Sequence, residues 1–216
     1  MPQSLGLGVD QFFLRKKRKL FKLKRYKKPN NYKMPEAKAL FQKEVKNLKD
    51  YVVLIIVDAK KYQKTNLELI KFLVNEKKVP GVYVTLNKPY ETISRTLQND
   101  NVDTRLIIFI DAVTTGQIGK KKNCLYIGSP EKLSDISVAM DQAVKALPKE
   151  KFVFFDSINT LAIFNKPITV ARFVHFLTEK MRQWKIKGII ISLEKGIDEV
   201  LINELTSLAD SRIDIL

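Results

Sequence analysis

The sequence predicts an α/β protein: a three-layer αβα sandwich whose mainly parallel sheet is covered by helices on both faces. Three observations lead there. Strand-sized apolar runs recur from residue 51 to the last residue given, amphipathic segments of helical length separate most of them, and the runs are apolar with little alternation. A strand covered on one face alternates, so near-continuous apolar strands call for cover on both sides. Parallel neighbours need helical crossovers, and right-handed crossovers distribute those helices into two layers.

The N-terminal part reads differently. The 216 residues carry a formal net charge of +16, and residues 1–50 hold 15 Lys/Arg against 4 Asp/Glu. Ten of the fourteen residues from Arg15 to Lys28 are basic and none is acidic. Such a run repels itself at helical spacing, so residues 1–33 are expected to form a basic, flexible arm and residues 34–216 one domain. Phe12, Phe13, Leu14, Leu20, Phe21, Leu23 and Tyr26 are interleaved with the charges. That mixture suits an acidic surface, with an anionic membrane favoured because apolar side chains insert while Lys and Arg meet headgroups. Nucleic acid is the rival partner and a solubilising tail the bland alternative.

After the turn-rich "KPNNYKMP", the stretch "PEAKALFQKEVKNLK" places Leu40, Phe41, Val45 and Leu48 on one helical face. Strands are then expected at residues 51–57, 81–87, 105–111, 124–127, 152–156, 188–193 and 212–216. Helices are expected at 65–76, 89–99, 133–147, 169–184 and 198–209, the fourth with Val170, Phe173, Val174, Leu177 and Met181 on one stripe. No apolar run approaches the roughly 20 residues of a spanning helix. A single cysteine, Cys124, excludes an internal disulfide. With no apolar leader before the basic cluster, a cytoplasmic protein is expected, peripheral at the inner face of the membrane if the arm meets lipid. Cys124 opens an apolar run and reads as core; His175, the only histidine, has no ligand partner at metal-binding spacing.

Chemistry in such a sheet collects at the carboxyl ends of the strands. The first strand leads into "DAKKYQKT", which aligns with the phosphate-binding pattern G-x-x-x-x-G-K-[ST]. Lys64 and Thr65 match, whereas Asp58 and Gln63 stand where glycines let the backbone curl around phosphate. Asp156 ends "FVFFDS", where an aspartate would help hold Mg²⁺ with Thr65. Asp111 ends the third strand and reads as a cap. The basic stretch "GKKKN", residues 119–123, reads as an exposed loop.

From "YVVLIIVDAKKYQKTN" through "KFVFFDSINTL" to "ELTSLADSRIDIL", the chain resembles the RecA superfamily of P-loop NTPases. It is most similar to its KaiC-like ATPases and to a poorly characterised archaeal branch of them. The resemblance implies a RecA-like fold, ATP with Mg²⁺ held by Lys64, Thr65 and Asp156, and self-association into rings. In that family the second strand runs into a pair of glutamates, one of which activates the attacking water. Here it runs into Asn87 and Lys88, and Glu194 after "IIISL" is the carboxylate that could substitute from another strand. A degenerate domain follows, a pseudo-ATPase with weak ATP binding, no catalytic residue retained and a regulatory or scaffolding role. An active ATPase with an atypical loop and a nucleic-acid-associated protein are the alternatives.

Overall fold

The computed structural model describes residues 36–116 and 121–216. The arm at residues 1–33, with the acidic-surface partner expected of it, and part of the basic stretch at 119–123 lie outside the described residues.

Helix α1 (Glu36–Glu44) is followed by β1 (Tyr51–Val57), α2 (Tyr62–Lys71) with a π-helical turn (Phe72–Glu76), and β2 (Gly81–Thr85). Then come α3 (Tyr90–Asn99), β3 (Ile107–Asp111), β4 (Cys124–Tyr126), α4 (Leu133–Lys145) and β5 (Phe152–Asp156). The chain continues through α5 (Ile158–Phe164), α6 (Pro167–Gln183), β6 (Lys187–Leu193), α7 (Glu199–Leu208) and β7 (Ser211–Ile215). The strands form one seven-stranded sheet in the order β4-β3-β2-β5-β6-β1-β7, and every neighbouring pair is parallel.

Every residue of β1 and β5 is buried, as continuous apolar strands between two helical layers require. Successive side chains take opposite faces. On one face Phe41 from α1 meets Tyr51 and Phe72 edge-on, and Tyr83 stacks on Phe154 at 5.2 Å between ring centroids. On the other face Phe155 packs against Phe173 of α6 at 6.1 Å. The two cores lock the register, because a one-residue slip would exchange them. Gly81 is required where β2 passes β5, since a Cβ there would run into the Phe152 ring. Buried Lys151 donates from Nζ to the carbonyls of Val144 at 2.7 Å and Leu147 at 3.0 Å, closing the C-terminal end of α4.

The structure departs from the sequence reading in local detail. Strand β2 stops at Thr85, two residues early, because the Thr85 hydroxyl donates to the carbonyl of Lys88 at 2.5 Å and turns the chain. Helix α1 ends at Glu44, which leaves Leu48 exposed instead of on its apolar face. Helix α5 stands where the sequence predicted no element, and α2 starts at Tyr62, three residues before Thr65.

Candidate functional site

All strand ends that could carry chemistry share one edge of the sheet. Thr85 is paired with Asp111 on one side and Asp156 on the other, and Val57 is paired with Ile215.

The turn after β1 is short, residues 58–61, and three of its four backbone donors are already committed. Asp58 N–H donates to the carbonyl of Ile215 at 3.1 Å, and Lys61 N–H to the carbonyl of Asp58 at 3.0 Å. The Asp58 carboxylate folds back to accept from Lys60 N–H at 2.7 Å, as an Asx turn does. A phosphate cradle needs such N–H groups free and converging. Thr65 is buried within the first turns of α2, its N–H bonded to the carbonyl of Lys61 at 2.8 Å. Lys64 projects into solvent with its side chain 78% exposed and its ammonium 3.9 Å from Glu68.

Asp156 is 1% exposed at the end of β5. The Tyr62 hydroxyl donates to its Oδ1, and the Tyr83 hydroxyl donates to its Oδ2 at 2.5 Å. The Asn87 side-chain amide in turn donates to the Tyr62 oxygen at 2.5 Å. Burial pushes the Asp156 carboxyl above the usual carboxylate range. The two phenol bonds, the Asn66 amide and the charge of Lys88 offset part of that rise. Burial and the neighbouring carboxylate push both phenols up as well, so they remain protonated donors.

Each of these groups is engaged within the fold: two loop N–H groups serve Asp58, phenol hydroxyls bond both Asp156 oxygens, and Lys64 turns to Glu68. At the end of β2, where a water-activating carboxylate would sit, Asn87 holds Tyr62. Glu194 is exposed, and its N–H donates to Val57 at 3.0 Å.

Tyr62, Tyr83 and Asn66 escaped the sequence reading. Tyr62 falls on an unspecified position of the phosphate-loop pattern, which gave it no signal. Tyr83 and Asn66 sit at ordinary strand and helix positions and had none. Asp111 is a clasp, as the sequence suggested: it accepts from the N–H groups of Tyr90, Val113 and Thr114 and from the Thr114 hydroxyl. Burial pushes the Cys124 thiol up to about 12, which keeps it an inert core group. His175 is exposed, 3.8 Å from Glu179. Among the described residues, no group of three or more His, Cys, Asp and Glu could hold a metal ion.

Comparison with known proteins gives a consistent result. The model of a family described as "ATPase: KaiC" matches residues 63–213. The KaiC-like protein PH0186 of the hyperthermophilic archaeon Pyrococcus horikoshii OT3 has a similar structure, with a TM-score of 0.54 at 16% identity over 76% of this chain and 70% of that one. A second protein of that organism, PH0250, gives 0.55 at 16% identity, over 81% and 87%. At such identities the likeness speaks for the fold. No curated protein sequence matches the chain significantly.

Proposed function

The chain belongs to the KaiC family of ATPases, and we propose that it is a member without efficient ATP hydrolysis, in which Tyr62 closes the ancestral site and the domain serves a regulatory or scaffolding role. The observation that carries this reading is the Tyr62–Asp156 hydrogen bond, braced by Asn87 in place of a catalytic carboxylate. Lys64, Thr65 and Asp156 are the retained pieces of a nucleotide site, and binding of ATP with Mg²⁺ through them is weak because the loop must first open.

Phosphate release and ATP–Mg²⁺-induced melting shifts test the proposal on the wild type, on Lys64→Ala and on the double variant Asp58→Gly with Gln63→Gly. The wild type should release phosphate at background, indistinguishably from Lys64→Ala. The double variant should show the larger melting shift, because ligand binding to the native state raises stability, with turnover still at background. Wild-type hydrolysis that Lys64→Ala abolishes would refute the proposal and establish a working ATPase with an atypical loop.

We also propose that the basic arm docks the protein on an anionic membrane surface. The alternation of basic with aromatic and leucine residues at 12–28 supports this. No helix among the described residues is long and apolar enough to cross a membrane. The full chain should co-sediment with acidic vesicles and not with neutral ones, and should lose that binding when residues 1–30 are deleted. Equal binding to both lipids, or to neither, would refute the membrane reading.

A further inference from the structure

The closed loop leaves a second feature beside it. Helices α2 and α3 diverge over the ends of β2 and β5, and the cleft between them is lined by Asn66 and Leu67 from α2, Lys88 from the intervening loop, and Ile93, Thr96 and Leu97 from α3. Tyr62, Tyr83 and Asp156 form its inner end. The following chain leaves β2 and β5 toward opposite faces of the sheet, since α3 packs with Tyr83 and Phe109 while α6 packs on Phe155. Parallel α/β sheets bind ligands at such a reversal. The volume of the cleft is about 50 Å³. A water needs roughly 10–15 Å³ on this measure, so the cleft seats a group of a few heavy atoms.

Two polar groups there are unmatched. Asn66 is 7% exposed, and its Oδ1 is buried with no hydrogen-bond partner among the described residues. A buried acceptor in that state is unfavourable until a donor reaches it. Asn66 lines the cleft with its amide N–H₂ engaged by Asp156, which leaves this oxygen as the acceptor still to be met. Lys88, half-buried, has no carboxylate within ion-pairing distance among the described residues, while its charge acts on Asp156 from further away. Its backbone is pinned by Thr85, which anchors the base of this side chain at the cleft lining. Leu67, Ile93 and Leu97, the last of them buried, give the same cleft an apolar lining.

We propose that this cleft binds a short carboxylate carrying a hydroxyl or amine on the adjacent carbon. The ligand carboxylate meets Lys88, its donor satisfies Asn66 Oδ1, and a small alkyl group rests on Leu67, Ile93 and Leu97. Nothing in this recognition requires nucleotide or the phosphate-binding turn. It therefore goes beyond the loss of hydrolysis and is tested without ATP.

The test uses the full chain and four probes: L-lactate, L-alanine, propionate, which lacks the donor, and propan-2-ol, which lacks the carboxylate. Protein-observed NMR titration follows binding at millimolar concentration. Lactate or alanine should perturb resonances of Asn66, Lys88 and Ile93, and propionate should bind about tenfold more weakly, the ratio expected for one unpaired buried acceptor. Lys88→Met should abolish carboxylate binding. Thr96→Trp, a change at an exposed position that fills the mouth, should do so with an unaltered melting temperature in the absence of probe. No perturbation by lactate or alanine, equal binding of propionate, or binding that survives both substitutions would overturn the proposal and leave the cleft as a water site.

Discussion

Two buried aspartates flank Thr85 at the same edge of the sheet, and they are held in opposite ways. Asp111 takes three backbone N–H groups, at 2.7, 2.8 and 2.9 Å, and the Thr114 hydroxyl at 2.5 Å. Asp156 takes two phenol hydroxyls from Tyr62 and Tyr83. Three of the four donors to Asp111 are backbone N–H groups at the start of α3 and the turn after β3, which almost any side chains at those positions would supply. The donors to Asp156 are particular side chains from α2 and β2, and substitution can remove either one. Asp111 is therefore part of how the chain folds. Asp156 is a buried strand-end carboxylate whose two oxygens are each held by an aromatic hydroxyl in place of solvent.

The largest expected effect follows from this contrast. Asp111→Ala strands three N–H groups, that of Tyr90 buried and those of Val113 and Thr114 half-buried, and should cost about 3–5 kcal/mol in urea unfolding, since each unsatisfied buried donor is destabilising by roughly 1–3 kcal/mol. Asp156→Asn keeps an acceptor for one phenol and removes the burden of a buried carboxylate, so its cost should be at most about 1 kcal/mol. Equal losses at the two positions would break the distinction between clasp and relic.

The same contrast marks how far the sequence could be read. The strands at 51–57 and 152–156 were legible to the residue because each is buried on both faces, a property that composition alone encodes. Asp111 was legible as a cap because its partners lie next to it in the chain or at the adjacent helix start. The start of α2 was not, because Lys61 at its N-terminus makes no side-chain cap, and the phosphate-loop pattern drew the helix start to Thr65. The short helix Ile158–Phe164 hid because it has too few residues to show a period, and Ile163 and Phe164 are exposed. The bonds from Tyr62 and Tyr83 to Asp156 span 94 and 73 residues, distances at which no local pattern carries information.

A smaller effect, in pH, sharpens the comparison from the side of charge. Burial raises the Asp156 carboxyl in the folded state, while the unfolded chain titrates near about 3.9. Between those two values the native protein binds the proton more tightly than the unfolded chain does. Stability attributable to Asp156 is therefore fully present below the unfolded value and is lost as pH rises through the raised folded one. Asparagine at this position has no such dependence. Unfolding free energies from about pH 4 to about pH 8 should then show the wild type losing ground to Asp156→Asn as pH rises, before levelling off. Tyr62→Phe removes the hydroxyl that stabilises the carboxylate, so it should extend the falling region to higher pH. A wild-type difference that stays flat across the range, or that rises with pH, would mean that Asp156 is ionised without penalty. The phenols would then be supporting a charge that the fold still maintains, and the site would be closer to a working one than its closed loop suggests.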